Sequence, residues 1–213
     1  MTRLIILDFD GTLADTQPII IASIHHTLSE LGLPARTDTE CRSIIGLPLA
    51  ECFTTLCDVD DITAERCADV YRRIFDELNT DGTVRLFPHV LETLKALHDQ
   101  GLLLTICSSR GRPTLEGFVK TFQLESYISM VVSANDVQRH KPHPEPVQKI
   151  LDALQVKPEE ALVVGDASYD ILMGRNAGCR TCGVTYGNQS AAKLREAEVD
   201  YLVDDFAELL NVL

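Results

Sequence analysis

Apolar residues follow two different patterns along the chain. Leu4–Leu7 is a short run without a polar interruption, which is typical of a strand buried on both faces of a parallel sheet. Between Thr16 and Asp81 the apolar residues recur at helical spacing, and no strand-like alternation occurs. This pattern predicts one helix between Thr16 and Gly32 and others at about Thr39–Ile45, Leu49–Leu56 and Thr63–Leu78.

From Phe87 onward, strand-like and helical segments alternate. Apolar runs predict strands at 102–107, 130–132, 161–164, 181–184 and 201–203, with helices at 90–100, 113–123, 144–154, 168–177, 191–197 and 206–210. Such alternation is typical of a Rossmann-like α/β fold, an open parallel sheet flanked by helices. We predict a core domain of residues 1–15 and 85–213, an inserted all-helical cap domain of residues 16–84, and hinges near Thr16 and Thr83–Pro88.

Composition narrows the class of protein. At 213 residues the chain is long enough to bury a substantial core without disulfides or metal ions. Its formal net charge of −13 disfavours non-specific binding to nucleic acid or an anionic membrane, and no apolar run has the length of a membrane span. Seven cysteines, an odd number, and the lack of a signal-peptide pattern lead us to expect reduced thiols and a cytoplasmic protein.

Two carboxylates follow the first predicted strand. Asp8 and Asp10 are separated by one residue, so an extended chain would place them on the same side. Buried like charges repel each other unless a cation or a shared proton relieves the repulsion. A divalent cation that prefers oxygen ligands, Mg²⁺ above all, would explain the pair. The alternative is an acidic turn, with Asp for turn chemistry and Gly11 for a positive φ.

The pattern D-x-D-G-T-L-x-D-T at residues 8–16 resembles the first motif of the haloacid dehalogenase (HAD) superfamily in its phosphatase form. The resemblance spans nearly the whole chain and implies a HAD-like core with a helical cap of the C1 type. In that family the first Asp is the nucleophile and the second the general acid/base, which implies these roles for Asp8 and Asp10. The dehalogenases proper lack an acidic residue at the second position, so Asp10 favours the phosphatases.

Three further motifs lie where predicted strands end, which is where open parallel sheets bind ligands. Ser108 resembles the second motif and forms a donor-rich loop with Ser109. Lys141 resembles the third motif, and Asp166 with Asp170 resembles the Gly-Asp-x-x-x-Asp variant of the fourth. Taken singly, Ser108 also fits an ordinary strand end, Lys141 a solvated loop residue, and Asp166 a helix cap.

The resemblance implies a magnesium-dependent phosphatase for a small phosphate monoester, such as a phosphoglycolate-like metabolite. Asp8 would attack phosphorus to form an aspartyl-phosphate, and Asp10 would act as acid in its formation and as base in its hydrolysis. Mg²⁺ would bind Asp8, the Asp10 backbone carbonyl and Asp166, with Asp170 in support. The expected phosphate-binding groups are the backbone N–H groups of Phe9 and Asp10 together with Ser108, Ser109 and Lys141.

Several positions outside the motifs are candidates for the rest of the site. Those expected to line the substrate site or to form a hinge are Thr16, Gln17, Gly46, Leu47 and His89. The loop at Gly187-Asn188 is expected to border the site. Arg110, Arg112 and Lys193 could supplement the positive field of the site, but solvated surface charges are the favoured interpretation.

Alternatives to this phosphatase stay open. The chain resembles the phosphoglycolate-phosphatase-like branch, but also pyrophosphatase-like members and β-phosphoglucomutase-like phosphotransferases. Those mutases typically carry a basic residue just after the cap glycine, whereas Gly46 is followed by Leu47-Pro48-Leu49-Ala50, which favours a hydrolase. A different class would be a binding or regulatory module without turnover. The expected partner is a small phosphorylated metabolite rather than nucleic acid or a membrane, and the chain is expected to be a monomer or a homodimer.

Overall fold

The computed structural model describes residues 1–213 and contains an open six-stranded sheet and a separate two-stranded ribbon. In chain order the elements are β1 (Leu4–Leu7), β2 (Ala14–Asp15), α1 (Gln17–Glu30), α2 (Asp38–Ser43), α3 (Leu49–Cys57), α4 (Asp61–Leu78), β3 (Arg85–Leu86), α5 (Val90–Asp99), β4 (Leu103–Cys107), α6 (Arg112–Thr121), β5 (Ile128–Val132), α7 (Glu145–Leu154), β6 (Ala161–Gly165), α8 (Ser168–Asn176), β7 (Arg180–Val184), α9 (Ala191–Glu196) and β8 (Tyr201–Val203). Short 3₁₀ helices cover Ala134–Asp136, Pro158–Glu160 and Phe206–Asn211.

All strands of the large sheet pair in parallel, in the order β5-β4-β1-β6-β7-β8. Strand β1 is buried on both faces, because Leu4 and Ile6 belong to one hydrophobic cluster and Ile5 and Leu7 to another. Strands β4 and β5 lie on one side of β1 in this sheet, and β6, β7 and β8 lie on the other. Its carboxyl end is therefore the switch point at which sheets of this kind bind ligands. The predicted Rossmann-like α/β fold is confirmed.

Residues 16–84, here called the cap segment, contain α1 to α4 and no strand. Helix α4 begins where the Asp60 side chain accepts a hydrogen bond from the Thr63 N–H at 2.8 Å. The ring of Phe75 on this helix packs edge-to-face on Phe118 of α6, with centroids 6.4 Å apart. One hydrophobic cluster therefore runs through both the cap segment and the sheet layer. The proposed division into separate domains stays a prediction.

The two chain connections to the cap segment form the antiparallel ribbon β2–β3. Ala14 pairs with Leu86 and Asp15 with Arg85, next to both predicted hinges. Strands of two residues have no periodicity to detect, so the sequence did not predict this ribbon.

None of the helices combines the length and hydropathy that crossing a bilayer requires. All seven cysteines are free thiols.

Candidate active site

The turn after β1 brings Asp8 to the sheet edge. The Asp8 N–H continues the sheet by donating to the Val164 carbonyl at 2.9 Å, and the Phe9 carbonyl then accepts from Leu13 at 3.0 Å. Gly11 has a φ of +88°, and a Cβ there would lie 2.4 Å from an Asp166 carboxylate oxygen. Only glycine fits this position, because the backbone must bend sharply while touching a carboxylate.

Three carboxylates meet at this edge of the sheet. Oxygen atoms of Asp8, Asp166 and Asp170 all lie within 4.8 Å of one another, and all three residues are buried. The ammonium of Lys141 donates to Asp8 Oδ1 and to Asp170 Oδ1, each at 2.6 Å. A single buried lysine thus faces three buried acidic side chains. The structure brings together residues from three of the predicted motifs.

This crowding changes the proton affinities of the cluster. Burial raises the pKa of Asp8 well above its ordinary range, and Asp170 and Asp166 add to this effect while Lys141 opposes it. Burial and the neighbouring Asp170 raise the pKa of Asp166 to about 7, against hydrogen bonds from Asn188. Burial disfavours the charge of Lys141, but Asp170 and Asp8 raise its pKa well above the ordinary value. A further cation at the carboxylates would relieve this repulsion.

Asp166 is held in place by the loop after β7. Its Oδ2 accepts the Asn188 backbone N–H at 2.6 Å and the Asn188 side-chain amide at 2.8 Å, while Thr12 donates to Oδ1 at 3.3 Å. Gln17, at the start of α1, donates to Asn188 Oδ1 at 3.0 Å. Asn188 therefore lies next to Asp166, and Gln17 contacts Asp166 indirectly, through Asn188.

Free backbone hydrogen-bond donors follow Asp8 and Ser108 in the chain. The backbone N–H groups of Phe9, Asp10 and Ser109 donate to no acceptor in the protein. The Ser108 hydroxyl oxygen accepts the Arg110 N–H at 3.2 Å, which leaves its own proton free to donate. Unpaired N–H groups beside a carboxylate form a concavity that suits an anion. The Ser109 hydroxyl was expected to bind phosphate, but in the structure it donates to the Gly46 carbonyl at 2.7 Å.

Arg110 is not the solvated charge that the sequence led us to expect. Its Nε and Nη2 donate to the two carboxylate oxygens of Asp10 at 3.1 and 2.6 Å, and its side chain is only 9% exposed. The guanidinium lies over the rings of Phe75 and Phe118, at 4.6 and 5.2 Å from their centroids. That prediction is wrong because the aromatic rings of Phe75 and Phe118, on two separate helices, shield the guanidinium. Arg112 instead pairs near the surface with Glu116 and Asp136.

A cavity of about 650 Å³, here called the cap cavity, lies between the cap segment and the carboxyl ends of the strands. Asp8, Asp10 and Ser108 line it from the core side, and Gly46 and Leu47 line it from the cap side.

The other three sequence candidates lie outside the cap cavity lining. His89 precedes α5 and pairs with Asp205 at 2.7 Å, on the exposed surface. Thr16 lies between β2 and α1 with a buried hydroxyl that has no partner. A hinge role for Thr16, Gln17 or His89 stays a prediction.

Comparison with known proteins agrees with this geometry. A family model described as haloacid dehalogenase-like hydrolase matches residues 5–184. A protein named pyrophosphatase PpaX from Anoxybacillus flavithermus is 35% identical over 209 residues, covering 98% of this chain and 95% of the relative. The protein of the same name from Halalkalibacterium halodurans is 36% identical over 212 residues, with the same coverage.

Solved structures show the same architecture over nearly the full length. A haloacid dehalogenase-like hydrolase from Bacteroides fragilis superposes with a TM-score of 0.93 at 28% identity, covering 98% of this chain and all of the other. A protein described as a predicted phosphoglycolate phosphatase from Haemophilus somnus gives a TM-score of 0.87 at 27% identity, covering 99% and 97% of the two chains. The expectation of an enzyme of the hydrolase class is confirmed. With its family match, its relatives and its fold in agreement, the chain belongs to the haloacid dehalogenase-like hydrolase family.

Proposed function

We propose that this protein is a Mg²⁺-dependent phosphatase that hydrolyses a small phosphate monoester through an aspartyl-phosphate at Asp8. The observation that carries the proposal is the surroundings of the Asp8 carboxylate. Lys141 donates to this carboxylate, which belongs to the acidic cluster, and the backbone N–H groups of the next two residues, Phe9 and Asp10, have no acceptor in the protein. Nucleophile, charge and anion-binding donors therefore meet at one point, as in-line attack on phosphorus requires.

In this mechanism the Asp8 carboxylate forms a bond to phosphorus while the bond to the leaving oxygen breaks. The free N–H groups of Phe9, Asp10 and Ser109, with the Ser108 hydroxyl, would hold the phosphoryl oxygens. Lys141 would counter the negative charge on Asp8 and on the phosphoryl group as a point charge. Asp10, which also lines the cap cavity, would turn one oxygen from Arg110 towards the leaving oxygen, pass it a proton, and then accept a proton from the water that cleaves the intermediate.

The residues at the site fit a divalent cation. Three buried carboxylates with one lysine leave an excess of negative charge, and their ligand atoms are all oxygens, which Mg²⁺ prefers. We propose Asp8, Asp166 and the Asp10 backbone carbonyl as its ligands, with Asp170 orienting Lys141 and the cluster. The cation would supply Lewis-acid stabilisation of phosphoryl charge.

A second candidate function is hydrolysis of inorganic pyrophosphate, because the relatives at 35% and 36% identity carry the name pyrophosphatase. Mutase activity is the other alternative within the fold, and the missing basic residue after Gly46 disfavours it. In each case the partner is a small phosphorylated molecule. A cytoplasmic location stays a prediction.

The test is a phosphate-release assay with p-nitrophenyl phosphate and a panel of phosphorylated metabolites, with Mg²⁺ or with EDTA. We expect turnover by the wild-type protein in Mg²⁺ only, and none by Asp8→Asn. Asp99→Asn, the same chemical change at an exposed position, should leave turnover unchanged. Turnover by Asp8→Asn would exclude this nucleophile, and silence of the wild-type protein across the panel would favour a module without catalysis.

A further inference from the structure

The cap cavity is much larger than the reacting phosphoryl group. Asp8 and Asp10 occupy one wall, and the volume of about 650 Å³ extends from them between the cap segment and the core. Cavities of this size commonly hold a complete drug-sized molecule. If the phosphoryl group lies at Asp8, most of the cavity is available to the rest of the substrate.

The cap wall of this cavity is largely apolar. Residues from α1, the turn before α3, α3 itself and α4 contribute to it; Leu47, Pro48, Leu49 and Ala50 are half-buried, and Ile20 and Tyr71 are each 8% exposed. Apolar walls gain free energy by removing apolar ligand surface from water, and aromatic rings also stack on flat groups. This wall suits a hydrocarbon or aromatic group.

The charges that line the cavity do not suit a second anionic group. Acidic side chains come from Asp8, Asp10, Glu65 and Asp76, whereas basic ones come from Arg72, Arg110 and the titratable His140. Both arginines already have carboxylate partners: Arg110 is paired with Asp10 at 2.6 Å, and Arg72 with Asp69 at 2.6 Å. Glu65, Arg72 and Asp76 are exposed at the rim, so the buried part of the cavity has one guanidinium, that of Arg110, and Asp10 already pairs with it. A second phosphate or a carboxylate there would lie beside acidic groups without a free arginine, which is costly where water is excluded.

We propose that the cap cavity binds the leaving group of the substrate, and that this group has an apolar or aromatic body without a second anionic group. The inference rests on the proposed function, since it places the phosphoryl group at Asp8. It distinguishes this protein's substrate from phosphoglycolate and from pyrophosphate, because each of these carries a second anionic group.

The experiment compares kcat/KM for 2-phenylethyl phosphate, ethyl phosphate, phosphoglycolate and pyrophosphate. The first two are esters of simple primary alcohols, so their difference mainly reports binding of the ring. We expect 2-phenylethyl phosphate to exceed ethyl phosphate about tenfold or more, as burial of a phenyl-sized group gives, and both anionic substrates to fall below 2-phenylethyl phosphate.

A filling variant tests whether the cavity is responsible. Ala50 lines the cavity and is half-buried, so Ala50→Leu should lower the ratio between the phenylethyl and ethyl esters about fivefold. Ala96 on α5 is also half-buried but lies outside the cavity, so Ala96→Leu should leave the ratio unchanged. Equal kcat/KM for the two esters, or a preference for phosphoglycolate or pyrophosphate, would overturn the inference while catalysis at Asp8 stands. Failure to hydrolyse any of the four would overturn the proposed function and the inference with it.

Discussion

The guanidinium of Arg110 donates hydrogen bonds to both carboxylate oxygens of Asp10, from Nε at 3.1 Å and from Nη2 at 2.6 Å. The same guanidinium lies over Phe75 of the cap segment and Phe118 of the core. Arg110 therefore links the position of the cap segment to the orientation of the proposed acid/base. A planar fork that also stacks on aromatic rings is a geometry that lysine cannot reproduce.

Replacing Arg110 by Lys should lower kcat about tenfold, because Asp10 loses the fork that fixes its carboxylate and small misplacements of a catalytic group are costly. Steady-state kinetics with an aryl phosphate measures the change. Arg112→Lys is the matched control, since Arg112 lies two residues away and pairs near the surface. If Arg110→Lys retains the wild-type kcat, the fork does not orient Asp10.

Lys141 is expected to stabilise the folded protein in addition to its proposed catalytic role. Its side chain is 3% exposed and bridges Asp8 and Asp170, so Lys141→Met would leave both carboxylates without their cation. We expect the free energy of unfolding in urea to fall by about 3–5 kcal/mol without added Mg²⁺. The exposed Lys120→Met should change it little. Adding Asp170→Asn to Lys141→Met should recover part of the loss; a double variant less stable than Lys141→Met would contradict this pairing.

The raised pKa of Asp166 predicts two opposite trends: its contribution to folding stability falls as pH rises without Mg²⁺, whereas the stabilisation by Mg²⁺ grows. Without a cation its folded-state pKa is about 7 against an ordinary 3.8, so between these values the folded state binds more protons than the unfolded one. This group's contribution to stability therefore falls as pH rises from about 4 to 7. Mg²⁺ binds the carboxylate form, so its stabilising effect should grow over the same range.

Melting temperatures between pH 5 and 8, with EDTA or with Mg²⁺, measure both effects. Asp166→Asn isolates this group from the other carboxylates and should reduce the pH-dependent Mg²⁺ stabilisation. A Mg²⁺-induced shift in melting temperature that is as large at pH 5 as at pH 8 would count against Asp166 as a ligand.

Gly187 lies so close to Asp166 that a side chain at this position would collide with it. A Cβ at Gly187 would lie 2.2 Å from the Asp166 Cβ and 2.5 Å from the Gly11 carbonyl oxygen. Gly187→Ala should therefore displace Asp166 and lower both kcat and the Mg²⁺-induced rise in melting temperature. Gly117, in the interior of α6, has no atom within 4 Å of such a Cβ; Gly117→Ala should instead stabilise the protein by about 0.5–1 kcal/mol. Wild-type activity in Gly187→Ala would show that the loop tolerates the shift.

The sequence predicted the meeting of Asp8, Lys141 and Asp166 because parallel strands end at one edge of a sheet. The boundaries of β1, the end of β4 and the start of β6 followed from apolar runs that are typical of a buried sheet, and β6 ends one residue later than predicted, at Gly165. The roles of these residues in catalysis and in metal binding stay predictions.

Features that depend on contacts distant in the sequence could not be predicted in the same way. The burial of Arg110 depends on Phe75 and Phe118, which belong to separate helices. His89 has a positive φ of 62° and pairs with Asp205, and neither property leaves a signal in the sequence. The hydrogen bond from Asn188 to Asp166 depends on the register between β6 and β7, which the periodicity of apolar residues does not predict.

The most direct test of the central claim is chemical trapping of the intermediate at Asp8. The wild-type protein and Asp10→Asn would be mixed with p-nitrophenyl phosphate and Mg²⁺, quenched during turnover and treated with borohydride, which reduces an acyl phosphate to an alcohol. We predict homoserine at residue 8 in the peptide mass spectrum, with more of it in Asp10→Asn. Release of phosphate by the wild-type protein with an unreduced Asp8, or homoserine at another position, would contradict the account.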